Sequence, residues 1–439
     1  MADPAAAYAV GDPLHLWFVG DPSRARLVGE LQLVSAGKGV SLRYADSWLA
    51  EGFALSEDLP LLPEEFMPRH KGMAAGAVDD ARPDRWGERV IQFLDKPRRL
   101  SLMEYLYFAG DDRFGALGVS TSATAYLPRR NGPRPRHDKA QALATVMGKI
   151  NAKEPVTELE RRLATAGGSF GGAKPKALIE IDGAEWVIKF FNGEPVDAPL
   201  IEHATMTLAA QAGIRVAETR PVALQGENAV AVRRFDRAGG SRVHALSAGT
   251  ALRAITPAGQ DPELGYPQLA QLLRRAGPTA GGENAGQMRE LFRRMVFNIL
   301  IDNTDDHEKN HALLFTEPTK FGKLSLAPAY DVLPTNSGQG LQEFIVGAEG
   351  RDSTLSNAMS QAELFGLVRD TAADEVSRVI AVVDRWKDHF VGAGVSAADI
   401  DSLAQQIDGE PLGAQRREFA AGAHSSPAPT RRRGSRFDR

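Results

Sequence analysis

Cysteine is absent from the 439 residues. The chain therefore offers no disulfide, no cysteine zinc site, no thiol nucleophile and no iron–sulfur cluster. A cysteine-free chain is most at home in a reducing compartment. Long apolar runs are missing as well: no uninterrupted stretch of about 18 apolar residues exists to span a membrane. The opening MADPAAAYAVGDP has neither a basic start nor a long apolar region, so no secretory signal is expected there. An excess of positive charge is also lacking. Lys plus Arg number 52 and Asp plus Glu number 56, a formal net charge of −4, which excludes a basic nucleic-acid coat. These absences together lead to the expectation of a soluble, cytoplasmic protein with no membrane contact.

What is present is a globular composition, 43% hydrophobic and 25% charged, which excludes wholesale disorder. At about 150 residues per domain the length implies two or three domains. Residues 1–130 read as a first unit, in which Leu31–Val34 and Val40–Tyr44 flank a Gly-containing hairpin loop. Leu127–His137, rich in Pro and Arg, reads as a linker whose basic charge serves solubility. Residues 131–240 form a second unit. It carries the glycine-rich loop Gly167–Gly172, two strand-like runs joined by Asp182-Gly183, a helix over 200–212 stopped by Gly213, and a second hairpin around 225–228. Period-two counting puts Trp186, Ile188 and Phe190 on one strand face and Val187 and Lys189 on the other. Residues 241–410 are mostly helical. Met288, Leu291, Phe292, Met295, Val296, Ile299 and Leu300 follow helical spacing, and the helix ends at Asp302–Asp306. Residues 411–439 read as a disordered Arg-rich tail.

Three constellations carry chemistry. The loop Gly167–Gly172, followed by Lys174 and Lys176, lets backbone N–H groups approach a phosphate, although it matches neither a Walker A loop nor GxGxxG and also reads as a plain flexible turn. Lys189, late in a hairpin, and Glu202, on the helix that follows, match the strand lysine and helix glutamate of kinases. Asp305, with Asn310 five positions on and Lys309 between them, matches a kinase catalytic loop, where an aspartate base precedes a metal-binding asparagine. Asp331 follows a second apolar run and supplies a hard oxygen ligand of the kind Mg²⁺ takes. A bare acidic turn with a helix cap is the ordinary reading of Asp302–Asp306, and the spacing to Lys189 and Asp331 argues against it. His307-Glu-Lys-Asn-His311 also matches the zinc-protease motif H-E-x-x-H. That motif needs a continuous helix, and the four residues Asp302, Asn303, Asp305 and Asp306 before it are poor helix formers.

Several segments in this order and spacing resemble HipA-type serine/threonine kinases, the toxins of bacterial toxin–antitoxin modules. They are the glycine loop with Ser169 and Gly-Gly-Ala-Lys-Pro-Lys176, Val-Ile-Lys189, Arg-Arg-Phe-Asp-Arg237, the Asp305–Asn310 loop and Tyr-Asp331. Trp48, Pro83–Glu88 and Gly110–Ala116 extend the resemblance to the N-terminal unit, so that it covers roughly residues 10–400. It implies an α+β, bilobed protein-kinase-like fold with a small N-terminal β-rich domain. The lobes would be residues 131–240, with the phosphate loop, and 241–410, with the catalytic loop. The family pattern makes Asp305 the catalytic base and Asn310 and Asp331 the Mg²⁺ ligands. It assigns ATP contacts to Gly171, Gly172, Ala173, Lys174, Pro175, Lys176, Lys189, Glu202, His307, Lys309, Asn310, Tyr330 and Asp331, with Arg233, Arg234 and Phe235 as the hinge beside adenine. Arg233 departs from the family pattern, which has an acidic residue there. Ser169 matches a serine that the family autophosphorylates to switch itself off. The implied cofactors are ATP and Mg²⁺. The implied partners are a small helix-turn-helix antitoxin of HipB type, operator DNA reached mainly through it, and a translation component such as an aminoacyl-tRNA synthetase as substrate. A small-molecule phosphotransferase of the same fold and a non-catalytic co-repressor are the alternatives.

Overall fold

A computed structural model describes residues 13–34, 38–129, 132–166, 172, 174–317 and 322–422. The N-terminal unit is built on β1 (Leu14–Phe18), β2 (Arg26–Val34), β3 (Gly39–Tyr44), β4 (Glu65–Phe66) and β5 (Leu117–Ser120). They pair antiparallel in the order β4-β3-β2-β1-β5, and the anticipated hairpin is β2–β3, with Val34 opposite Gly39. Three helices accompany the sheet: α1 (Asp46–Glu51), α2 (Arg85–Leu94) and α3 (Leu102–Phe108), the last opened by a Ser101/Glu104 capping box.

The second unit contains α4 (Ala140–Ala152), α5 (Glu158–Ala166), β6 (Lys176–Ile181), β7 (Ala184–Phe190), α6 (Ala198–Gln211), β8 (Thr219–Ala223) and β9 (Asn228–Arg233). Its sheet is antiparallel in the order β6-β7-β9-β8. Asp182 (φ 50°) and Gly183 (φ 74°) both lie in the left-handed region, as the two-residue turn between β6 and β7 demands. Trp186, Ile188 and Phe190 are buried on one face of β7, while Val187 and Lys189 lie on the other. Asp197 caps the start of α6, and Gly213 (φ 78°) lies just past its end.

The third unit adds a ribbon of β10 (Arg237–Ala238) and β11 (Ser241–Arg242), and a sheet of β12 (Ala245–Ser247), β13 (Ala312–Glu317) and β14 (Lys323–Leu326). Around them pack α7 (Ala248–Ile255), α8 (Tyr266–Ala276), α9 (Glu283–Leu300), α10 (Leu355–Ser360), α11 (Arg369–Val383), α12 (Trp386–Gly392), α13 (Ala397–Ile407) and α14 (Glu410–Gly422). All seven apolar positions expected of α9 are buried. The chain is thus an α+β fold of two kinase-like lobes behind a small β-rich unit.

Three expectations need correction. The segment after 410 begins as helix α14, anchored by Arg416, which donates to the Ile407 carbonyl at 2.6 Å and pairs with Asp384 and Asp408 at 3.0 and 3.1 Å. The rest of the expected tail lies outside the described residues. The linker's charge is not spent on solubility alone, since Arg129 pairs with Asp95 at 2.6 Å and Arg134 with Asp112 at 2.8 Å and Glu185 at 3.2 Å. Finally, α2, although it lies within residues 1–130, packs into the core of the second unit. Trp86, Val90 and Leu94 share one core with α4 and with Ala177, Ile179, Trp186 and Ile188 of β6 and β7.

Candidate active site

The sheet of the second unit and the end of α9 bring the expected residues to one cleft. On β7, Lys189 faces away from the apolar side and meets α6. Its Nζ donates to Glu202 Oε1 at 2.7 Å and to Asp331 Oδ1 at 2.5 Å. Burial alone lowers a lysine's pKa, but here Asp331 and Glu202 outweigh it and hold the ammonium above its ordinary value. Burial likewise works against the Asp331 carboxylate, yet Lys189 and Lys176 keep it far below the usual range. Glu202 is 3% exposed and shifted up, first by burial. Asp331 itself adopts a left-handed backbone (φ 58°).

The glycine-rich segment returns to the sheet through Gly172, Lys174, Pro175 and Lys176. Gly172 has φ 91°, a conformation in which a side chain is strained, and a Cβ there would stand 2.5 Å from the Lys176 amine, which would have to shift. Lys176 is 4% exposed, and its burial lowers its pKa. Lys174 reaches Glu194 at 2.9 Å, and the Pro175 carbonyl accepts the Phe190 N–H at 3.1 Å. Gly171, Ala173 and Ser169 lie outside the described residues.

Opposite stands the turn after α9. Asp302 (φ 57°) ends the helix, and the carboxyl of Asp305 is exposed beside the cleft. Its pKa is shifted up, chiefly because the surrounding walls remove water and also because Asp331 and Glu343 face it, with His307 opposing. Asn310 donates from Nδ2 to the Asp305 carbonyl at 3.3 Å, which leaves its amide oxygen as the group to offer a cation. The Tyr330 hydroxyl donates to the Lys309 carbonyl at 2.6 Å, and the Lys309 N–H donates to His307 Nδ1 at 3.1 Å. Phe235 packs on Tyr330 with ring centroids 5.3 Å apart.

The hinge arginines point elsewhere. Arg233 pairs with Glu218 at 2.9 Å, while Arg234 is buried against Asp236 at 2.9 Å and Glu185 at 3.4 Å. Their side chains serve an ion-pair network. The zinc motif does not form, because His307–His311 is a turn rather than a helix, and His311 is 2% exposed with Nε2 at 2.8 Å from Asp306. Among the described residues no cluster of three or more His, Asp or Glu side chains is placed to hold a metal ion. The residues do fit Mg²⁺, which takes one or two protein oxygens and completes its shell with phosphate and water.

The sequence matches the model of the HipA N-terminal domain over residues 23–120 and that of the HipA-like C-terminal domain over residues 168–386. The chain belongs to the HipA family. It is also similar to the Sinorhizobium fredii protein named "Putative kinase Y4dM", at 28% identity over 256 residues, 52% of this chain. The matched stretch spans 58% of that relative's length. The fold is shared with HipA of a Shewanella oneidensis MR-1 toxin–antitoxin system, solved with HipB and its operator DNA. That likeness has a TM-score of 0.63 at 18% identity and covers 94% of this HipA-family chain and 100% of the other.

Sequence reasoning missed the groups that brace the turn from Asp302 to His311. Tyr266 donates its hydroxyl to Asp306, Asn298 donates to the Tyr266 hydroxyl at 3.1 Å, and Asn303 donates to Asn298 at 3.0 Å. One signal was available: Asn298 is a polar residue amid the apolar positions of α9.

Proposed function

We propose that this chain is an ATP- and Mg²⁺-dependent protein kinase acting on serine or threonine, and that it serves as the toxin of a toxin–antitoxin pair. The observation that carries the reading is the Lys189 ammonium held between Glu202 and Asp331 at 2.7 and 2.5 Å, with the Asp305–Asn310 turn beside the same cleft. In this reading Lys189, Lys174 and Lys176 bring positive charge to the ATP phosphates, and Phe235 and Tyr330 give adenine an apolar wall. Asn310 and Asp331 would hold Mg²⁺, which when bound neutralises charge on the phosphate oxygens. Asp305 accepts the proton of the substrate hydroxyl as that oxygen bonds to the γ-phosphorus and the bond to the β–γ bridging oxygen breaks, releasing ADP. A carboxyl with a raised pKa suits a base that must take a proton.

The solved complex of a HipA with HipB and operator DNA supports a helix-turn-helix antitoxin of HipB type as partner. With a net charge of −4, operator DNA is met mainly through it. An aminoacyl-tRNA synthetase is the proposed substrate class, Ser169 the autophosphorylation site and the cytoplasm the place of action. Among the described residues no helix is long and apolar enough to cross a membrane. Incubation with γ-labelled ATP and Mg²⁺ tests the reading. Label on protein, with phosphate on Ser169 by mass spectrometry, is the expected outcome. Label on a small metabolite alone points to a metabolite phosphotransferase, and no nucleotide binding points to a non-catalytic co-repressor.

A further inference from the structure

The N-terminal unit reaches into the phosphate site through the first turn of α2. Trp86 is fully buried, and its two N–H groups bracket the end of the glycine loop. The backbone N–H donates to the Gly172 carbonyl at 3.1 Å, and the indole Nε1 donates to the Lys176 carbonyl at 2.9 Å. Just before it, Asp84 caps α2, one carboxylate oxygen accepting the Gly87 N–H at 2.8 Å. The other oxygen, Oδ2, is buried and has no hydrogen-bond partner among the described residues. Lys176 is the foremost positive charge acting on this carboxyl, and Lys309 of the catalytic turn acts on it as well. Asp84 is in turn the foremost counter-charge of the buried Lys176 amine. None of this is required to close the N-terminal sheet, since α2 packs into the core of the kinase lobe.

We infer that Trp86 and Asp84 are positioning residues of the phosphate site: the N-terminal unit fixes the end of the glycine loop through Trp86 and keeps the buried Lys176 charged through Asp84, so that the seat of α2 sets the affinity for nucleotide phosphates. The physical argument has two parts. Backbone at Gly172 and Lys176 that is already tied at two carbonyls to a rigid, buried ring loses less conformational freedom when phosphates bind beside it. A lysine ammonium with 4% exposure needs a nearby carboxylate to remain ionised, and only the ionised form attracts phosphate. This inference rests on the kinase reading and adds to it an element that the lobes alone do not supply.

The test measures MgATP and adenosine binding by calorimetry on the full chain, wild type against Trp86→Phe and Asp84→Asn. Trp86→Phe keeps the buried ring and deletes one donor; Asp84→Asn keeps the shape and deletes the charge. Each is expected to weaken MgATP binding roughly five- to tenfold, the worth of about one hydrogen bond or a modest charge interaction. Adenosine affinity should stay within twofold of wild type, because adenosine has no phosphates to sense the loop. Unchanged MgATP affinity in both variants would overturn the inference and leave the kinase reading standing. Parallel losses for MgATP and adenosine would overturn it too, because they would report a general distortion of the cleft. If the wild-type chain bound neither ligand, the kinase reading would itself fail and the inference with it.

Discussion

Asp305 and Asp306 are neighbours with opposite fates. The first is exposed at the cleft, while the second is 2% exposed and tied to His311 and Tyr266. Only the first is free to meet a substrate hydroxyl. Asp305→Ala should therefore abolish phosphoryl transfer, by on the order of a thousandfold or more, and leave the thermal midpoint nearly unchanged. Activity within tenfold of wild type, followed by label transfer, would remove Asp305 from the proposed mechanism. The five-residue spacing drew attention to Asp305 and Asn310, and the structure joins them in one turn, where Asn310 donates to the Asp305 carbonyl at 3.3 Å. Lys189 and Glu202 were legible because strand alternation and one helical turn place them on facing surfaces. Arg233 and Arg234 were not. Their side chains follow charges on Glu218, Asp236 and Glu185, and Glu185 and Asp236 also bind groups of the N-terminal unit and its linker, so short-range pattern says nothing of them.

The turn from Asp302 to His311 is an irregular element held by polar groups from three others. Tyr266 opens α8, Asn298 lies in α9, and Thr335 donates its N–H to the Asp302 carbonyl at 2.9 Å and its hydroxyl to the same oxygen at 2.6 Å. Local propensity marks such a stretch only as a break in helix, since its conformation is set by partners distant in sequence. The hairpins were readable for the converse reason: Asp182-Gly183 encodes its own turn. Tyr266→Phe tests the brace. It removes one donor from a buried carboxylate while keeping the ring edge-on to His311 at 5.4 Å and to Phe344 at 5.0 Å. Stability should fall by about 1–3 kcal/mol in urea melts. Turnover should drop several-fold with little change in the KM for ATP, because the turn that carries Asp305 loosens while the phosphate loop does not. A rise in KM with unchanged turnover would contradict this.

Across the whole molecule, the small N-terminal unit is fastened to the kinase lobes by charge and by buried rings, contacts that no periodicity in the sequence announces. Asp236 accepts the Gly115 N–H at 2.8 Å and pairs with Arg234 and Arg237 at 2.9 and 3.0 Å. Burial opposes its ionisation, but the two arginines hold the carboxyl down at about 2. Asp236→Ala would remove the carboxylate that two buried guanidinium groups share, leaving Glu185 as their counter-charge, at a cost of about 3 kcal/mol, whereas Arg233→Ala, in an exposed pair, should cost at most about 1 kcal/mol. Equal losses in chemical melts would show that the network is not what fastens the unit.

His244 lies at the same junction, its Nε2 2.9 Å from the Leu55 carbonyl and its ring packed against Phe53 and Phe315 with centroids 5.7 and 4.5 Å away. Burial pushes its pKa down from 6.5 to about 4. Between those two pH values the unfolded chain binds a proton at this site that the native one does not. Acidification through that window therefore removes stability, on the order of 3 kcal/mol for this one group, and the stability is fully present above pH 6.5. Asp84 acts in the opposite sense. Burial raises it to about 6, so the native state takes up its proton first and gains stability as pH falls through 6 toward 3.8. The two contributions partly offset in the wild-type chain, and a single melting curve does not separate them. His244→Phe keeps the packing and removes one titrating group, at the loss of one hydrogen bond at every pH. Thermal midpoints measured from pH 7.5 to 4.5 should then fall less steeply in the variant than in the wild type, with the two curves converging or crossing at the acid end. Parallel curves across the whole range would mean that His244 does not titrate as its burial requires.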